Sequence, residues 1–148
     1  MLTATIPIKK LSPKAILPTY GSELAAGADL YACMDEAVTI EPGQTKLIHT
    51  GLAMALPAGY AGLIYARSGL ATKKGLAPAN KVGVIDPDYR GEIMVALHNH
   101  SLTPASVEPG ERIAQIVITP YLTACFEPAE ELEDTKRGSG GFGSTGTR

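Results

Sequence analysis

Apolar positions along this chain come in short runs, and turn-forming residues cut most of them off before a helix has room to develop. Residues 6–11, 29–32, 44–56, 60–66, 91–99 and 112–119 read as strands. Between them stand Pro42-Gly43, Pro57-Ala58-Gly59 and Pro109-Gly110, each suited to a turn. With 16 glycines and 11 prolines, breakers recur too often for long helices. Only Ser68 to Lys74 is predicted to make a helical turn or two. Ile113, Ile116, Val117 and Ile118 form a largely apolar, β-branched run, which predicts a strand buried on both faces. The fold class is therefore all-β, a sandwich or a barrel, and no internal repeat is present.

From about Pro128 the pattern gives out. Glu130, Glu131, Glu133 and Asp134 lead to Lys136-Arg137 and then to a glycine-rich end. Such a segment buries too little apolar surface to order itself, which divides the chain into a β domain over 1–127 and an arm over 128–148. A frayed terminus is the plainer reading of the arm. The alternative is a lid: Arg137, Phe142, Ser144 and Thr145 are spaced along glycines whose amides can cradle phosphate oxygens.

Composition narrows the field. A chain of 148 residues, 45% hydrophobic and 19% charged, is long and apolar enough for one globular core. A net charge of −2 argues against long-range attraction to nucleic acid or an acidic membrane. The first residues lack a signal-peptide pattern and no apolar run is long enough to span a bilayer, so a cytoplasmic protein is expected. Cys33 and Cys125 do not suggest a disulfide framework and are expected as two packed thiols.

Four stretches carry candidate chemistry. Ala66-Arg67-Ser68-Gly69-Leu70 follows a strand and precedes the helical turn; it offers a guanidinium fork, a hydroxyl and an approachable amide to a phosphate. The alternative is a helix whose N-cap is Ser68, with Arg67 in a surface ion pair. In the stretch from Asn80 to Glu92, Val82 to Ile85 reads as a strand, Asp86-Pro87-Asp88 as a turn, and Ile93 to Leu97 as the returning strand of a β-hairpin. Its mouth would present Asp86, Tyr89 and Asn80 to one pocket, where an ionised carboxylate can orient a water. Alternatively the aspartates are plain turn residues and Tyr89 a packed aromatic. Gln115 lies with Arg112 in an apolar strand, where a polar side chain needs a partner in the protein or in a ligand. Asp29 sits after Gly27 in a sharp turn at a strand start. His98 and His100 flank Asn99 without a third ligand at zinc-like spacing.

Residues 26–32, 66–71, 80–92, 110–116 and 137–146, in this order, resemble the five motifs of the homotrimeric dUTPase family. No key position departs from the pattern, and Pro87 is a local variation that stiffens the third motif. The resemblance implies a jelly-roll-type β-barrel with a flexible C-terminal tail, assembled as a homotrimer with shared active sites. It implies hydrolysis of dUTP to dUMP and pyrophosphate with Mg2+ on the triphosphate, keeping uracil out of DNA and supplying dUMP for thymidylate synthesis. Asp86 would then hold and deprotonate the attacking water. Arg67, Ser68 and Gly69 would bind phosphates with help from Gln115. Asn80 and the backbone at Gly83, Val84 and Ile85 would pair with uracil. Tyr89 would pack on the deoxyribose, and Met94 would complete the pocket. Phe142 would stack on uracil beside Gly143, while Arg137, Ser144 and Thr145 engage the γ-phosphate. Asp29 would act on metal-bound water, indirectly. A dCTP deaminase or bifunctional enzyme of similar fold, and a non-catalytic nucleotide-binding regulator, are the alternatives.

Overall fold

A computed structural model describes residues 4–141. These form β1 (Ile8–Lys10), β2 (Thr19–Tyr20), β3 (Ala28–Tyr31), β4 (Val38–Ile40), β5 (Thr45–His49) and β6 (Leu52–Met54) in the first half. The second half holds β7 (Tyr60–Tyr65), α1 (Ser68–Lys74), β8 (Leu76–Pro78), β9 (Gly83–Ile85), β10 (Met94–Asn99), β11 (Ala105–Val107) and β12 (Arg112–Pro120). The fold is all-β and of jelly-roll type. Four antiparallel sheets wrap one core, in the orders β2-β3-β12-β7-β9, β5-β10-β8, β1-β6 and β11-β4. Among the described residues these sheets do not join into one closed hydrogen-bonded ring.

β12 is the spine of the largest sheet, with β3 on one side and β7 on the other. Its apolar run supplies Ile113, Ala114 and Ile116 to a core that also takes Leu30, Ile48, Val95 and Leu97. Each fully buried aliphatic side chain of this kind contributes about 1.5–3 kcal/mol of transfer free energy. The buried polar groups are partnered. Asn99, wholly enclosed, donates to the carbonyls of Ile40 and Thr103, both at 2.8 Å, and accepts from the amide and hydroxyl of Ser101.

The structure corrects several expectations. The run over 44–56 is two strands. Gly51, at φ +66°, turns the chain between β5 and β6, and the buried Thr50 hydroxyl donates to the Ile93 carbonyl at 2.6 Å. β5 then pairs with β10, whereas β6 pairs with β1. The hairpin expected between Val82 to Ile85 and Ile93 to Leu97 does not form. β9 pairs with β7, and β10 pairs with β5 and β8, so residues 86–93 cross from one sheet to another. The connection is longer than the tight loops that hairpins favour, and each strand has a partner elsewhere. Ser68 is not the N-cap of α1. Arg67 holds that position, without a side-chain cap, and Gly75 closes the other end in the left-handed conformation. The thiols are not both packed: Cys33 is half-buried and Cys125 exposed.

After β12 the chain carries no strand or helix up to Gly141. The Tyr121 amide, donating to Gly59, is the last backbone hydrogen bond between this segment and the barrel among the described residues. Beyond it Leu122, Phe126 and Leu132 are almost fully exposed. None of the described helices is long and apolar enough to cross a membrane.

Candidate active site

Where β9 ends and β10 begins, the chain encloses a cleft of about 230 Å³. Val84, Ile85, Asp86, Tyr89 and Met94 line it, all five drawn from the predicted set. Failure of the hairpin does not scatter them, because the crossing loop keeps both strand ends at one mouth. The loop folds back on itself. The Tyr89 amide donates to the Asp86 carbonyl at 3.2 Å, the Arg90 guanidinium to the Pro87 carbonyl at 2.6 Å, and the Tyr89 hydroxyl to the Glu92 carbonyl at 2.9 Å. Gly91 makes this fold possible, since a Cβ there would collide with the Tyr89 ring. The Asp86 side chain is exposed and has no hydrogen-bond donor among the described residues, leaving its oxygens available to a water.

Two further residues line the cleft that the sequence reading did not single out, Leu47 from β5 and Glu92. The Glu92 carboxylate accepts from the Gly51 amide at 2.8 Å and lies 2.9 Å from His49 Nδ1. Burial raises its pKa, but the bonds from His49 and the Gly51 amide outweigh that and hold it below the usual glutamate range.

A second group forms where β7 passes into α1. In the ladders of β12, Gln115 stands opposite Asp29 on one side and Tyr65 on the other. That register brings three sequence-distant motifs together. Gln115 Nε2 donates to the Ala66 carbonyl at 2.9 Å and so fixes the turn before Arg67. A Cβ on Gly27 would stand 2.6 Å from Gln115 Oε1, which explains the glycine beside Asp29. Arg67 Nε donates to Asp29 Oδ1 at 2.7 Å, and Arg112 Nη1 to Asp29 Oδ2 at 3.2 Å. Arg67 is thus in an ion pair, with a buried rather than a surface partner. Ser68 and Gly69 lie exposed at the start of α1, where first-turn amides have no intrahelical acceptor.

Both oxygens of Asp29, expected to act indirectly on metal-bound water, accept from guanidinium groups. Two guanidiniums against one carboxylate leave this group net positive, suited to an anion. Among the described residues no cluster of three or more His, Cys, Asp or Glu stands ready to cage a metal. His98 Nδ1 meets the Thr45 hydroxyl at 2.9 Å, and its ring packs edge-on against His100.

The remaining predicted residues stand apart. Asn80 does not line the cleft; its amide lies over Gly83, about 3.5 Å from where a Cβ would be. Arg137 is exposed on the arm, bonded to the Gly140 carbonyl at 2.8 Å. Phe142, Gly143, Ser144 and Thr145 lie outside the described residues. Nor do the cleft and the arginine group meet. β7 and β9 run antiparallel with Gly62 opposite Ile85 and Ile64 opposite Gly83, so Asp86 leaves one end of the ladder and Arg67 the other. Strand rise puts them roughly 15–20 Å apart. Another hollow, about 620 Å³ between α1 and residues 100–108, contains none of the predicted residues.

Comparison with known proteins bears on this arrangement. The family model described as dUTPase matches residues 13–146. The deoxyuridine 5'-triphosphate nucleotidohydrolase of Syntrophotalea carbinolica is 49% identical over 146 residues, covering 99% of both chains. That of Desulfitobacterium hafniense is 55% identical over 139 residues, covering 93% of this chain and 91% of the relative. Among solved structures, a mutant dUTPase of Staphylococcus bacteriophage 80alpha with dUpNHpp superposes with a TM-score of 0.88 at 31% identity, covering 97% of this chain and 99% of the other. A mutant dUTPase from phage phi11 of S. aureus, described with a structural Mg(II) ion, gives 0.78 at 26% identity, covering 88% and 100%.

Proposed function

The chain belongs to the dUTPase family, and from that premise we propose that it hydrolyses dUTP to dUMP and pyrophosphate at sites shared between subunits of a homotrimer. The activity prevents uracil entering DNA and supplies dUMP for thymidylate synthesis. One observation carries the shared site: the exposed Asp86 carboxylate and the cationic Arg67 group stand at opposite ends of the β7–β9 ladder. A single triphosphate meets both only when a second chain brings its own copy alongside. Relatives compared above bear dUTP nucleotidohydrolase names, and nothing favours the deaminase alternative.

Asp86 orients a water and takes its proton as the oxygen attacks the α-phosphorus; the α–β anhydride bond breaks and pyrophosphate leaves. An ordinary carboxylate is a weak base, so positioning contributes more than proton affinity. Arg67, with Ser68, Gly69 and Gln115 beside it, receives the phosphate chain. The backbone at Gly83, Val84 and Ile85, with Asn80, meets the polar edge of uracil. Tyr89 and Met94 enclose the deoxyribose, leaving no room for a 2′-hydroxyl. Without a cluster of three or more His, Cys, Asp or Glu among the described residues, the donor set fits a cation carried by the substrate's own phosphates, which Asp29 would meet indirectly through water. When bound, Mg2+ would neutralise charge on the leaving pyrophosphate. Residues 128–148 form an arm on a barrel of residues 1–127, and Arg137, Phe142, Gly143, Ser144 and Thr145 close over the bound nucleotide.

Pyrophosphate release measured across dUTP, dTTP, UTP and dCTP tests the reading. Turnover is expected for dUTP alone among the four, and Asp86→Asn should lower it at least about a hundredfold while dUTP still binds. Comparable turnover in that variant removes Asp86 from the mechanism.

A further inference from the structure

Glu92 ties together parts of the chain that the chemistry above treats separately. Its main-chain oxygen accepts the Tyr89 hydroxyl, and its carboxylate crosses to the β5–β6 junction to meet the Gly51 amide and His49. The other side-chain hydrogen bonds of residues 86–92 stay within the loop, among the described residues. Arg90 turns back to the Pro87 and Tyr89 carbonyls, and Tyr89 to Glu92. The Glu92 side chain is only 22% exposed, so water competes less for its part-buried bond to the Gly51 amide than for the one to the more open His49 ring. The β5–β6 junction it grips is itself fixed, since Thr50 is fully buried and bonded to Ile93.

We propose that Glu92 is a positioning residue: its carboxylate, clamped to Gly51 and His49, fixes the 86–92 loop and with it the direction of the Asp86 carboxylate and the Tyr89 ring. The inference rests on the dUTP-hydrolysing reading for its kinetic consequence, but not for the clamp. Glu92 also lines the cleft, but the role proposed for it is exerted through the loop. Shortening it frees the loop from the barrel wall, and a displacement of about 1 Å at reacting groups is enough to cost up to a hundredfold in rate.

The test compares Glu92→Ala and Glu92→Gln with the unaltered full chain. Amide hydrogen exchange of residues 86–92 is read against that of β12, alongside kcat and KM for dUTP and UTP. In the alanine variant the loop should exchange at least about tenfold faster while β12 is unchanged. Its dUTP kcat should fall about ten- to a hundredfold, and its preference for dUTP over UTP about tenfold. Glutamine keeps an oxygen for the Gly51 amide and an NH2 for His49, and should restore all three readouts to within about threefold of the unaltered chain. Unchanged loop exchange in the alanine variant overturns the proposal, as does a glutamine variant no better than alanine. If the alanine variant does not fold, Glu92→Asp, too short to reach both partners, replaces it under the same expectations. An unaltered chain that leaves dUTP intact counts against the activity, and the exchange measurement still decides the clamp.

Discussion

Asp86 and Tyr89 leave the same loop with different tasks. Asp86 needs oxygens that no protein donor occupies, and its exposed carboxylate has them among the described residues. Tyr89 needs to be held, and it is: its hydroxyl donates to the Glu92 carbonyl while its ring lies over Gly91, where a side chain would collide with it. If Tyr89 packs on the sugar as proposed, its fixed ring discriminates by excluding bulk, and Tyr89→Ala should relax the preference for dUTP over UTP by about tenfold to a hundredfold. Steady-state kinetics with both nucleotides check this, and unchanged selectivity would remove Tyr89 from the sugar pocket. These residues were legible in the sequence because the third motif is continuous: residue types and spacing lie within one stretch of chain. The contacts of Glu92 were not, since Gly51 and His49 lie some forty residues earlier and only the β5–β10 register brings them near. The partners of Asp29 were hidden for the same reason, needing β12 to set β3 beside β7.

At the scale of elements, legibility followed length. The run ending at Thr119 and the short helix at Ser68 to Lys74 were clear from apolar pattern and flanking breakers. β2, β4, β8 and β11 were not, because two or three residues carry no period; the equally short β1 and β9 were read only within the longer stretches 6–11 and 82–85. Pairing was harder still: β9 and β10 were both read as strands, yet the turn between them joins different sheets. Asn99 illustrates how such junctions are held. Its side chain ties the end of β10 to β4 and to the segment leading into β11, with no solvent access. Asn99→Ala would strand the Ile40 carbonyl and the Ser101 amide, while the Thr103 carbonyl keeps the Ser101 hydroxyl, at a cost of about 3 kcal/mol. The melting temperature should fall by roughly 6–12 °C. A thermal melt with an unchanged midpoint would show that water satisfies those groups instead.

Across the whole molecule, the barrel and the arm answer to different physics. The barrel closes a core of its own, whereas residues 121–141 expose Leu122, Phe126 and Leu132 and add no strand. If the arm acts only by closing over nucleotide, deleting residues 137–148 should lower dUTP turnover by at least about tenfold and leave the circular dichroism spectrum and melting midpoint unchanged. A truncated chain with full turnover would make the arm dispensable.

The separation of Asp86 from Arg67 carries the larger claim, and mixing two inactive variants tests it most directly. Asp86→Asn and Arg67→Gln chains, each inactive alone, are refolded together and assayed for pyrophosphate release from dUTP. If each site takes Asp86 from one chain and Arg67 from another, random mixing leaves about a quarter of the sites intact. About a quarter of the unaltered activity is therefore expected. Mixed trimers as inactive as their parents would contradict it.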